Sequence, residues 1–198
     1  MVIAVPTITT ATADRVPVLA AVLARTFADD AMISWPFHDH DVEERAVPLF
    51  AALLREYVAL EIVVEAGAGA GLAAWIPPGS DMGLEQVNAA TWTEVEALTG
   101  DGGDRYHRFW NWLESFVPSE RHWMLDMVGV DPDRQGEGIG TALVRHGVER
   151  ARADRVPAFL ETSKARNVPY YERFGFRTTA EEDAPGGGPH IWFMRLDP

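Results

Sequence analysis

The stretch GVDPDRQGEGIGTALVRHGVERA, residues 129–151, constrains the fold more than any other part of the chain. It sets Gly136, Gly138 and Gly140 within five positions, where a strand-like run gives way to a helix-like one. A backbone that bare, at the start of a helix, is what an anion-binding turn requires. The first amides of a helix have no partner, and the dipole is positive at that end. Two familiar phosphate loops fail on spacing. A P-loop needs a lysine after its last glycine, and the only lysine in the chain is Lys164. A dinucleotide fingerprint needs its first glycine directly after the strand, whereas Asp131 to Gln135 intervene here. The pattern that fits is Q-x-x-G-x-G, filled by Gln135, Gly138 and Gly140, with Arg134 available for a charge-assisted bond to the same anion. A tight strand-to-helix connection is the alternative, since glycine punctuates turns generally.

Around that turn the chain alternates strand-like and helix-like runs. Residues 2–9 read as a first strand, and Val16, Leu19, Leu23 and Phe27 recur at helical spacing. A second helix is expected from Asp41, with Glu44 as its capping-box partner. EIVVEA and GLAAWIPP form a hairpin around GAGAG, stopped by Pro77 and Pro78. Residues 82–117 carry one or two helices broken by TGDGGD, and 121–130 form a strand. PAFLETS is a strand, NVPYYERFG a short helix, and FRTTAEE with HIWFMRL a closing antiparallel pair. The expectation is one α/β domain over 1–198.

Composition removes several chemistries. The 198 residues include no cysteine, which excludes disulfides and a thiol nucleophile. A net charge of −13 argues against a nucleic-acid partner and would attract a cationic one, or serve solubility alone. No apolar run is long enough to span a bilayer, and no signal peptide is evident, so the expected location is the cytoplasm with no membrane partner.

The strand MLDMVGV, the loop and helix DPDRQGEGIGTALVRHGVERA, and ETSKARNVPYYERFGF resemble, in order and spacing, the cofactor core of the GNAT superfamily of acetyl-CoA-dependent N-acetyltransferases. Within it, VGVDPDRQGEGIG and VPAFLETSKARNVPYYERFGF are most similar to the puromycin N-acetyltransferase type. The resemblance implies a mixed, mostly antiparallel α/β sheet, splayed at the cofactor site and flanked by helices. Residues 121–180 would be the cofactor core and 1–120 would shape the acceptor site.

It implies acetyl-CoA as co-substrate and no metal. Val128 and Val130 would lie along pantetheine, and Arg134, Gln135, Gly136, Glu137, Gly138, Gly140 and Thr141 would hold the pyrophosphate. Asn167 would reach the pantetheine end, and Tyr171 would act as general acid toward the departing thiol. Tyr170 reads as aromatic packing. A phenol suits the donor role because its ordinary pKa, about 10, matches that of a thiol leaving group.

An amine acceptor also needs a base. Asp126 stands in an otherwise apolar strand, where an acid must be paired or working. Alternation puts Met124, Asp126 and Val128 on one face and Leu125 and Met127 on the other. Either a working base or a carboxylate paired with an arginine or facing water fits. Without a cysteine, transfer is expected to be direct to a small-molecule amine. A protein amine, or idle acyl-CoA sensing, are the alternatives. HDHD at 38–41 reads as a polar loop rather than a metal site, EED at 181–183 as a solvated cluster or a cation-steering rim, and Trp112 as a candidate pocket wall.

Overall fold

The computed structural model describes residues 6–37, 42–80 and 88–198. The strands are β1 (Ile8–Thr10), β2 (Val63–Ala66), β3 (Gly71–Ile76), β4 (Trp123–Val130), β5 (Ala158–Thr162), β6 (Arg177–Asp183) and β7 (His190–Leu196). They form a sheet in the order β1-β2-β3-β4-β5-β7-β6. Every neighbouring pair is antiparallel except β4 and β5. The helices are α1 (Val16–Thr26), α2 (Ala31–Ser34), α3 (Val42–Ala59), α4 (Ala89–Leu98), α5 (Asp104–Glu114), α6 (Ile139–Asp154) and α7 (Val168–Glu172). The expected Asp41 cap and the HDHD stretch lie outside the described residues, as does most of the first strand's predicted start.

One face of the sheet is covered by α6 and α7. Leu143, Val144 and Val148 of α6 and Tyr171 of α7 are buried there against Trp75, Leu125 and Leu160. Trp75 explains a glycine that the sequence left without a reason. Its indole lies flat on α6, so a Cβ at Gly147 would sit 2.0 Å from the ring, and its Nε1 donates to the Leu143 carbonyl at 3.2 Å. The other face carries α1 and α3, whose Leu19, Leu23, Phe50 and Leu54 bury against Leu72, Ala74 and Met127. Further out, Val95 of α4 and Tyr106 of α5 pack on Phe37, Leu49 and Ala52. Phe109 and Leu113 of α5 reach Ile191 and Phe193 of β7.

Two irregularities of β4 position everything that follows. Parallel pairing with β5 stops after Trp123↔Ala158 and Met124↔Phe159, and β5 pairs onward with β7 alone. From Leu125, the edge of β4 that faces β5 therefore has no strand partner. On its other side the β3 ladder jumps from Trp75↔Leu125 to Ala74↔Met127, leaving Asp126 as the extra residue of a bulge. A bulge resets the alternation of side chains. Leu125 packs with α6 while Met127 packs with α1 and α3, so the two lie on opposite faces rather than sharing one. Val128 and Val130 pack toward α6, opposite to Met127. The strict-alternation expectation fails at this one extra residue.

Candidate active site

The splay opens a cavity of about 1130 Å³ that runs between β4 and β5 and under α3, α4 and α5. One end is built by the glycine loop. Gly136 has φ +84° and Gly138, the N-cap of α6, has φ +82°, a left-handed backbone that a side chain would strain. Neither has any atom in the path of an added Cβ. Gly140 has a different reason: a Cβ there would stand 3.1 Å from the Tyr170 hydroxyl and 3.4 Å from Val130. No side chain caps α6. The first helical bond of this turn runs from the Ala142 amide to the Gly138 carbonyl. The amides ahead of it are left to a ligand or to water.

Arg134 stands at the loop, its guanidinium held by Glu137 through two bonds of 2.7 Å. Gln135 reaches back to the Val130 carbonyl at 3.4 Å. An incoming anion would compete with Glu137 for Arg134.

Along the open edge of β4 lie Val128, Gly129 and Val130, all facing the cavity. Opposite them, Thr162 at the end of β5 accepts from the Asn167 amide at 3.0 Å, which fixes Asn167 at the cavity wall. Tyr170 and Tyr171 follow on α7, their rings 5.2 Å apart. Tyr170 packs on Tyr171 and Phe174 as expected, and it also lines the cavity. Tyr171 is buried, and burial, with the nearby Tyr170, Asp30 and Glu161, raises its pKa above the ordinary phenol value. It therefore keeps its proton across the working pH range, the form a hydrogen-bond donor needs.

The structure thus gathers Asp126, Val128, Val130, Arg134, Gln135, Gly136, Gly138, Gly140, Thr141, Asn167 and Tyr171 around one cavity. Glu137 stands apart, occupied with Arg134.

Asp126 projects from the bulge toward α3, within hydrogen-bonding reach of the Tyr57 hydroxyl. Burial lifts its pKa to about 6, and the bond from Tyr57 opposes that rise. No arginine is paired with it among the described residues, and its half-buried side chain faces the cavity. Glu161 on β5 is a second carboxyl in the same cavity, one that sequence reading passed over. Burial, and then the charge of Asp126, push it up to about 8. Its alternation partner Leu160 faces α6 while Phe159 packs with Met124 on the other side. An acid on the inward face of a short apolar strand was the available signal.

The remaining wall comes from α2 to α5. Trp92, Tyr106 and Trp110 form an aromatic side, with Tyr106 rings 5.9 Å from Trp92 and 5.8 Å from Trp110. Trp112, expected as a wall, instead packs on Phe116 at 5.2 Å and Phe193 at 6.0 Å, away from the cavity. Helical rotation by two residues puts Trp110 in the place assigned to Trp112.

The α1–α2 turn is clamped to the β5–α7 loop. Asp30 caps α2 through the Met32 amide at 3.0 Å and accepts from Ser163 at 2.8 Å. Asp29 holds Lys164 at 2.6 Å and Arg166 at 3.0 Å. The EED stretch lies on the exposed edge strand β6, where Asp183 meets His190 at 2.7 Å. Among the described residues no cluster of three or more His, Cys, Asp or Glu side chains could hold a metal, and no helix is long and apolar enough to cross a membrane.

Comparison with known proteins bears on this geometry. Residues 101–176 match the model of the acetyltransferase (GNAT) family. An uncharacterized N-acetyltransferase of Schizosaccharomyces pombe is 27% identical over 169 residues, 79% of this chain and 68% of that protein. A mycothiol acetyltransferase of Beutenbergia cavernae is 35% identical over 112 residues, covering 52% of this chain and only 37% of that protein. Among solved structures, a histone acetyltransferase HPA2 and related acetyltransferase from Corynebacterium glutamicum superposes with a TM-score of 0.73 at 23% identity, over 98% of this chain and 96% of that one. The fold is the mixed α/β fold of the GNAT acetyltransferases, and the family model supports that family over residues 101–176. Relatives named acetyltransferases add support for acyltransferase activity.

Proposed function

We infer that this chain is a GNAT-type acyltransferase that moves an acetyl group from acetyl-CoA directly to the amine of a small molecule held in the same cavity. One observation carries the reading. A single continuous cavity joins a helix N-terminus headed by glycines, an unpaired strand edge and a half-buried carboxyl. Those are, in order, what a pyrophosphate, a pantetheine arm and an ammonium group each need.

The roles follow the geometry. The free amides at Gly138, Gly140 and Thr141, with Arg134, Gln135 and Gly136, would receive the pyrophosphate, and Glu137 would release Arg134 to it. Val128 and Val130 would pair their backbone with pantetheine, whose far end would meet Asn167. The acceptor arrives as an ammonium and must shed a proton before its lone pair attacks. Asp126, ionised above pH about 6, would take that proton.

The nitrogen then bonds to the thioester carbonyl carbon, and a backbone amide of the splayed strand steadies the oxyanion. As the C–S bond breaks, the sulfur takes a proton from Tyr171. The nitrogen's second proton returns to the phenol through the site. One proton ends on the thiol and one in solvent, so the step balances. Attack within a ternary complex replaces a covalent enzyme intermediate, consistent with a chain that has no cysteine.

In this reading the chain acts as one domain over 1–198, residues 121–180 binding the cofactor and 1–120 shaping the acceptor side, in the cytoplasm. The aromatic wall favours a free small molecule over a peptide amine, and puromycin belongs among the amines to try. Tyr171→Phe separates catalysis from acyl-CoA sensing. We expect kcat to fall about 100-fold or more with cofactor affinity unchanged. An unchanged kcat would remove Tyr171 from the chemistry.

A further inference from the structure

Asp126 and Glu161 face each other across the splay. The parallel register Trp123↔Ala158 and Met124↔Phe159, carried two residues on, sets Asp126 level with Glu161. The strands have parted by then, so the two carboxyls occupy opposite arms at the same depth. Both are on the α3 side of the sheet. Asp126 reaches toward Tyr57, and Glu161 alternates with Leu160, which faces α6. Tyr171 and the glycine loop approach from the α6 side. A thioester lying in the gap would have its sulfur toward Tyr171 and its carbonyl carbon open toward the two carboxyls.

The charges of the cavity wall are divided. Its lysine and arginines, Lys164, Arg134, Arg166 and Arg173, all come from the loops and short helix at the cofactor end. The stretches of α3, α4 and α5 that line the other end contribute Glu56 and Glu114 but no lysine or arginine. Neither Asp126 nor Glu161 has an ion-pair partner among the described residues. Burying an acid without a cation is costly, and two of them side by side cost more. The fold tolerates the arrangement at the one place where a substrate cation would relieve it. Beyond the pair, Trp92, Tyr106 and Trp110 offer aromatic faces and Leu53 an aliphatic one.

We propose that Glu161 and Asp126 together seat the acceptor's ammonium group, and that the acceptor is a primary alkylamine carrying an aromatic or otherwise apolar body. The proposal rests on the acetyl-transfer reading of the cavity and gives that reading a substrate class. A primary ammonium presents three donors on a point charge, which suits two carboxyls and the Tyr57 hydroxyl converging on it. Glu161 is the specificity group and Asp126 the proton acceptor. An aniline-type nitrogen, neutral at pH 7, gains nothing from the pair. A guanidinium does not become a nucleophile at that pH.

The test measures binding and turnover separately. Phenylalkylamines with one to four methylenes, and the matching phenylalkyl alcohols, are titrated by calorimetry into the full chain saturated with coenzyme A. At least one amine should bind 10-fold or more tighter than its alcohol. Glu161→Gln should erase that preference while coenzyme A affinity stays as in the wild type, and Glu161→Asp should restore part of it. In turnover, Glu161→Gln should raise the amine KM by 10-fold or more with a smaller fall in kcat, and Asp126→Asn should lower chiefly kcat. Alcohol and amine binding equally, a preference that survives Glu161→Gln, or no amine binding at all would overturn the proposal. Amine binding that depends on Glu161 without any acetyl transfer would uphold the ammonium seat and refute the transferase reading. Transfer indifferent to Glu161 would do the reverse.

Discussion

Asp126 and Glu161 are acids whose burial makes the protonated form comfortable, and this has consequences in two experiments. Each binds its proton more tightly in the folded chain than in an unfolded one, their pKa values rising to about 6 and about 8. Between pH ~5 and ~8 the native state therefore holds more protons than the unfolded state, and stability falls as pH rises through that window. The melting temperature of the ligand-free protein should decline from pH 5 to pH 8.5, and the Asp126→Asn, Glu161→Gln double variant should decline less. Calorimetric scans across that range check it, and parallel curves would contradict it. In turnover, kcat/KM should rise with pH through about 6 as Asp126 loses its proton, and Asp126→Asn should lose that limb. The two carboxyls titrate as a pair, so the observed midpoints belong to both. At this scale the sequence was partly legible. Asp126 stood out as a charge among apolar neighbours, while Glu161, the first residue of the polar ETS run, did not. Which face Asp126 takes depends on a bulge, and a bulge in β4 is decided jointly with β3, which a single strand cannot reveal.

The element that most repays attention is α6. Its N-terminus needs left-handed backbone at Gly136 and Gly138, and its middle needs Gly147 because Trp75 lies against it. Sequence spacing exposed the first requirement but not the second, because the Trp75 contact joins residues 72 positions apart in the chain. Gly147→Ala sets the two effects of glycine against each other. Helix propensity alone would favour alanine by roughly 1 kcal/mol. A Cβ 2.0 Å from a buried indole forces α6 off the sheet, at a cost of about 1–3 kcal/mol. The variant should melt lower by up to about 8 °C and bind coenzyme A more weakly, because the N-terminus of α6 moves with it. A melting temperature at or above that of the wild type would mean the sheet yields instead. Helix and strand identities were otherwise readable from periodicity and breakers: TGDGGD separates α4 from α5, and Pro77 follows the end of β3. Helical phase was less readable, and the cavity took Trp110 where Trp112 had been expected.

Across the whole molecule, the glycine-loop end of the cavity is made by the second half of the chain and much of the opposite wall by the first. The aspartates of the FADD stretch tie the two together. Asp29 and Asp30 grip Lys164, Arg166 and Ser163, so α2 is fastened to the loop that follows β5. A site assembled from both halves suits reaction within a ternary complex. Initial rates with both substrates varied should give intersecting double-reciprocal lines. Parallel lines with an isolable acetyl-enzyme would contradict direct transfer. The glycine loop was legible because its left-handed turns demand glycines at fixed offsets in one contiguous segment. The acceptor side was not, because four helices and two splayed strands supply it and no contiguous pattern encodes their meeting.

Direct transfer of an acetyl group from acetyl-CoA to an amine underlies every role proposed for the cavity. Mass spectrometry of reactions containing acetyl-CoA and a panel of amines tests it most directly. The panel holds phenylalkylamines, puromycin, polyamines, amino acids and peptide N-termini. The expected product is an N-acetylated phenylalkylamine, heavier by one acetyl group, formed in step with free coenzyme A and with no acetyl group left on the protein. Tight binding of acetyl-CoA without product from any amine in the panel would contradict it.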